Sequence, residues 1–112
     1  MAIPLHISFR DMESTPSLDQ AIRDGTTKLE RVYDRIERCD VTVERPHQHH
    51  RTGQQIRVRI NLAVPGPDVI VDQHDENAYV AIRTAFDVAR RQLEHHVDRL
   101  HGHTKRHDPQ GS

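Results

Sequence analysis

The strongest constraint on this chain is a periodic run of apolar residues near its C-terminal end. Tyr79, Ile82, Phe86, Ala89, Leu93, Val97 and Leu100 recur at steps of 3, 4, 3, 4, 4 and 3. At 3.6 residues per turn they make one stripe along a long helix that begins after Asn77. Such a helix is stable only if the stripe lies on a second apolar surface, which the rest of the chain must supply. Gly102 is placed to end it. The polar stretch 103–112, with Pro109 and Gly111, is expected to be a disordered tail outside a single domain spanning 1–102.

The second surface reads as a sheet. Leu5, Ile7 and Phe9 alternate with polar residues, as do Cys39, Val41 and Val43, and then Ile56, Val58, Ile60, Leu62 and Val64. Alternation of period two marks strands with one buried face. Pro65-Gly66-Pro67 turns the chain into a fourth strand around Val69 to Asp72. Between the first two strands, Thr15 and Pro16 read as the N-cap and first position of a helix. Its stripe is Leu18, Ile22, Leu29, Val32, Tyr33 and Ile36, interrupted by Gly25 and Thr26. Glycine there costs roughly 1 kcal/mol relative to alanine, so Gly25 is expected to permit close packing against the sheet.

The order is β-α-β-β-β-α, an α+β two-layer sandwich in which both helices cover one face of a four-stranded sheet. The helical crossover implies a parallel first pair of strands, and the two hairpins imply antiparallel ones. The other face would expose His6, Ser8, Arg10, Asp40, Thr42, Glu44, Arg57, Arg59 and Asn61, with no aromatic side chain for a base to stack on. A reader of single-stranded RNA that works through sheet aromatics is therefore disfavoured. Arg57 and Arg59 are expected to pair across strands with Glu44 or Asp40. On the second helix, Arg83 with Asp87, Asp87 with Arg91, and Arg90 with Glu94 are spaced to pair on a solvated face.

Sixteen Lys and Arg against 17 Asp and Glu leave a formal charge of -1 with histidines neutral. Binding to nucleic acid would have to rest on local patches, although ten histidines make the charge conditional on pH. The single cysteine, Cys39, excludes an internal disulfide and a thiolate-rich zinc site; it reads as core, in a reducing, cytoplasmic location. No stretch approaches the roughly 20 apolar residues that span a bilayer, and no leader pattern opens the chain.

An enzymatic reading finds no Gly-rich phosphate loop, nucleophile elbow or metal-hydrolase helix motif, so no catalytic residue, cofactor or small-molecule substrate is expected. The cluster Asp72, His74, Asp75 and Glu76 suits a helix N-terminus. His47, His49 and His50 form a candidate metal-ligating set, for which Glu44 or His6 would have to supply a fourth ligand. As imidazolium ions they could instead touch phosphate beside Arg45 and Arg51.

The order of elements, together with Lys28-Leu29-Glu30, Asp34-Arg35-Ile36, Ala78-Tyr79-Val80-Ala81-Ile82 and Arg91-Gln92-Leu93, resembles the ribosome hibernation and ribosome-associated inhibitor family. The resemblance spans roughly residues 3 to 101. It implies a fold related to double-stranded RNA-binding domains, seated in the small-subunit channel for messenger and transfer RNA, with translation blocked by occupancy in stress or stationary phase. The partners implied are the small ribosomal subunit and its RNA. Carried over, the RNA-contacting positions are Lys28 and Arg35 late in the first helix, then Arg90, Arg91 and Arg99 in the second. The chain departs from the family at Gly25, His95, Val97 and His101, where lysines are usual, and each loss removes a phosphate partner. The segment from Arg45 to Arg51 resembles a histidine-rich proteobacterial subgroup. Longer members carry a dimerising C-terminal domain, which this chain is expected to lack. The alternative reading is a histidine-dependent metal-binding or regulatory protein on the same fold, without ribosome binding.

Overall fold

The Thr15 hydroxyl accepts a hydrogen bond from the Leu18 amide at 3.1 Å, and Pro16 fills the first turn, where no amide is needed. The cap launches helix α1 (Pro16–Val32) from the end of strand β1 (Leu5–Arg10). Three further strands follow, β2 (Arg38–Glu44), β3 (Ile56–Ala63) and β4 (Val69–Asp75), and then helix α2 (Ala78–Lys105). The computed structural model describes residues 3–46 and 55–105, with side chains placed through residue 100.

The sheet order is β1-β2-β3-β4, parallel between the first pair and antiparallel in the other two. Its alternation is the one the sequence carries: Cys39, Val41 and Val43 on β2, Ile56, Val58, Ile60 and Leu62 on β3, and Val69 and Val71 on β4 are buried. Both helices close over this face, α1 packing against α2 and α2 crossing β3 and β4. Gly66 takes a φ of 86° in the turn between β3 and β4, a conformation that favours glycine.

Several boundaries and partners differ from the sequence reading. The stripe of α1 includes Gly25 and Thr26, both buried, so they are part of the contact face. A Cβ on Gly25 would lie 2.5 Å from Phe86 Cγ, and the close partner is therefore α2, not the sheet. α1 ends at Val32, because Tyr33 turns extended (φ -153°, ψ 129°) while its amide still donates to Leu29 O at 3.2 Å. Ile36 reaches the core from the following loop, and Arg35 lies in that loop, beyond the helix. β4 runs three residues past Asp72, to Asp75.

The Asn77 side chain caps α2 by accepting from the Tyr79 and Val80 amides at 2.8 and 3.1 Å. No acidic residue occupies its first turn; Asp75 instead accepts from the Asn77 amide at 2.8 Å. α2 passes through Gly102 to Lys105, so residues 103–105 are helical; the remainder of the expected tail lies outside the described residues. A helical glycine weakens a helix without ending it. Toward that end the buried residue is His96, while Val97 is only half-buried and Leu100 is exposed.

Candidate nucleic-acid interface

Two chemically different surfaces result. On the open face of the sheet three arginines are paired with acidic neighbours, while Arg10 at the end of β1 is exposed and has no carboxylate within salt-bridge distance among the described residues. Arg57 grips Asp72 through two nitrogens, Nη2 at 2.6 Å and Nε at 3.0 Å, and Arg59 approaches the same carboxylate at 3.7 Å. Arg38 pairs with Asp40 at 2.8 Å. Of the expected partners in β2, Glu44 lies directly opposite Arg57 in register, yet Arg57 takes Asp72, which is diagonal to it and opposite Arg59, and Asp40 is taken by Arg38 on its own strand. These hydrogen bonds hold the Asp72 carboxyl below the usual carboxylate range and raise the guanidinium groups of Arg57 and Arg38.

The helical layer is different. Lys28, Arg35, Arg91 and Arg99 are exposed and have no carboxylate within salt-bridge distance among the described residues. Of the three pairs expected on α2, only Arg90 with Glu94 closes, at 3.2 Å. On α1, Arg23 pairs with Asp19 at 2.7 Å. A phosphate could take either exposed arginine from its carboxylate at little cost.

The cations fall into three recesses. Lys28, Arg83 and Arg90 surround the groove between the helices, with Tyr79 at one end and Asp24 and Asp87 as its acidic members. Arg91, His95 and Arg99 face the 65–69 turn across a cleft. Arg35 and Arg31 border a third, beside Val97 and Leu100. The five positions singled out on the two helices are thus brought to one layer but not to one pocket. Arg45 is exposed just past β2, its amide bonded to Arg10 O at 3.1 Å. Arg51, His47, His49 and His50 lie outside the described residues. Among the described residues no group of three histidine, cysteine or acidic side chains is placed to hold a metal, and no helix is long and apolar enough to cross a membrane.

His96 is the residue that reading for function missed. It is 4% exposed, its Nε2 lies 2.9 Å from Pro65 O, and its ring meets Tyr33 edge-on at 6.2 Å. A carbonyl only accepts, so Nε2 carries the proton. Continuing the 4, 3 alternation of Ile82, Phe86, Ala89 and Leu93 lands on His96, a signal present in the sequence. Arg83 and Tyr79 were legible as residues but not as walls of a groove. Cys39 is fully buried beside Thr26, and burial pushes its thiol up to about 11, which makes it core and not a nucleophile at neutral pH.

Residues 5–101 match the family described as Sigma 54 modulation protein / S30EA ribosomal protein. The ribosome hibernation promotion factor of Deinococcus radiodurans is 32% identical over 89 residues, which cover 78% of this chain and 45% of that protein. The chain thus spans less than half the length of that relative. Among solved structures, the N-terminal domain of Thermus thermophilus Protein Y aligns with a TM-score of 0.69 at 23% identity, covering 85% of this chain and 98% of that one. A ribosomal subunit interface protein from Coxiella burnetii aligns with a TM-score of 0.69 at 13% identity, covering 84% and 97%. At these identities the two structures establish the shared fold.

Proposed function

The chain belongs to the Sigma 54 modulation protein / S30EA ribosomal protein family, and from that premise we propose that it is a non-catalytic ribosome-binding factor that lays its helical layer on small-subunit RNA. It acts by occupancy: seated in the channel for messenger and transfer RNA, it holds translation off in stress or stationary phase. The name of the Deinococcus relative, a ribosome hibernation promotion factor, supports this reading.

The observation that carries it is the set of unpaired cations on the helical layer, a layer that also holds the paired Arg23 and Arg90. Arg38 and Arg57 on the sheet are held by Asp40 and Asp72, whereas Lys28, Arg35, Arg91 and Arg99 project from the helical side without a carboxylate partner among the described residues. A guanidinium with its donors free can grip phosphate at two points, and one already gripped by a carboxylate must first give that up. Lys28, Arg91 and Arg99 stand on formed helices, so their backbone does not have to order on binding.

The test is co-sedimentation of purified protein with small subunits at low and high salt. Wild-type protein should pellet with the subunits at low salt and be released at high salt. Arg91→Glu with Arg99→Glu should abolish pelleting while leaving the thermal melt unchanged. Arg59→Ser, on the sheet face, should pellet as wild type does. Equal pelleting of the double variant and wild type would rule out α2 as the contact surface.

A further inference from the structure

Two adjacent histidines on α2 stand in opposite situations at the same cleft. His95 is exposed and lines it together with Arg91, Arg99 and the turn residues Pro67 and Asp68. His96 is buried behind it, committed to Pro65 O at 2.9 Å and to the Tyr33 ring. We propose that this cleft is a phosphate site whose affinity is set by protonation of His95, with His96 as a positioning residue that fixes the opposite wall. The inference rests on the reading above for its partner, the phosphate backbone of ribosomal RNA.

Arg91, His95 and Arg99 follow one another at four-residue spacing, so they stand on one face over about 12 Å of helix axis. A neutral imidazole between two guanidinium groups offers one donor and no charge. An imidazolium offers two donors and completes a row of three cations facing the cleft. The charged groups that bear on His95 come from two elements. On α2 these are Arg91 and Arg99 four residues to either side, His96 beside it and Asp98 three residues on; from the turn it is Asp68.

A phosphate seated in the cleft adds negative charge beside the ring and tips the balance toward the imidazolium. Proton uptake is thereby linked to binding, and affinity rises as pH falls through the range in which histidines titrate.

The wall facing this row does not have to form on binding. The His96 hydrogen bond holds Pro65, Gly66 fixes the turn with its φ of 86°, and Tyr33 closes behind the ring. The imidazole left free to turn toward a ligand is therefore the exposed one.

The experiment measures binding of wild type, His95→Gln and His95→Arg to purified small subunits at about pH 6 and about pH 8, across a salt series. Wild type should bind several-fold more tightly at the lower pH. Its slope of log affinity against log salt should steepen there by roughly 0.7 to 0.9, the value of one added phosphate contact. His95→Gln should match wild type at the higher pH and lack the gain at the lower, and His95→Arg should bind tightly at both. A gain retained by His95→Gln, or absent from wild type, overturns the proposal and leaves the ribosome-binding reading standing. If wild type does not bind small subunits at all, that reading fails, and the cleft is judged alone by titration with inorganic pyrophosphate. A saturable shift of the His95 ring proton signals at the lower pH would then support the site, and no shift would overturn it.

Discussion

A methyl group at position 25 would have to share space with the Phe86 ring, whose three nearest carbons lie 2.5 to 2.8 Å from where that methyl would sit. The helices cannot separate to admit it without lifting one of them from the sheet. Gly25→Ala should therefore destabilise the fold by roughly 1 to 3 kcal/mol in urea unfolding, despite the better helix propensity of alanine. Phe86→Leu in the same chain should recover part of the loss. The sequence marks Gly25 as a close contact and points to the sheet as its partner, which is wrong because both apolar stripes point at the sheet and the seam between the helices has no periodicity of its own. Asp72 gives a second expectation. Its folded carboxyl is held below the usual range by Arg57, so the pair contributes stability above the unfolded carboxylate range, near pH 4, and loses it as pH falls through the lower folded value. The stability gap between wild type and Asp72→Asn should be constant at neutral pH and close in acid, as urea titrations from pH about 7 to about 3 would record. Which acid Arg57 chooses was not legible: β2 and β4 both flank β3, and Arg57 takes the diagonal Asp72 although Glu44 lies directly opposite it.

At the scale of elements, caps were easier to read than stops. Thr15 satisfies an amide that a helix start leaves unpaired, and side chains with that ability are few; Asn77 caps α2 in the same way, although the acidic cluster before it was the expected N-terminal feature. Thr15→Ala should cost about 1 kcal/mol in urea unfolding without changing its cooperativity, since α1 would keep its packed face. The ends were harder. The stripe of α1 continues in sequence to Ile36 although the helix ends at Val32, because a loop residue can reach the core as well as a helical one. That difference moves Arg35 off the helix and into the third recess, away from Lys28. α2 passes the glycine placed to stop it, and its 28 residues make an axis of about 42 Å, longer than the roughly 27 Å of an eight-residue strand. The overhang explains why Tyr79 and Leu100, at the two ends of a regular stripe, are exposed while Ile82 through Leu93 are not.

For the whole molecule, a formal charge of -1 would argue against an RNA partner if only the sum mattered. The fold makes the sum misleading. Asp40 and Asp72 are taken up by Arg38 and Arg57 on the sheet, and the helical layer keeps Lys28, Arg35, Arg91 and Arg99 without a carboxylate partner among the described residues. No composition count contains that arrangement; it follows from two helices on one face, which the order of elements did predict. A protein built this way should bind RNA with one side only and with a modest number of phosphate contacts. If each of those four cations neutralises one phosphate, the slope of log affinity against log salt should be roughly -3 to -4. A slope that steep cannot come from a net charge of -1, since long-range attraction by the whole molecule would vanish or repel. Measured by equilibrium pelleting with small subunits between about 50 and 300 mM salt, it separates a patch from an average. A slope near zero would mean that the helical layer holds its partner by something other than phosphate contacts. Loss of about one unit of slope in Lys28→Ala would tie the count to a named side chain.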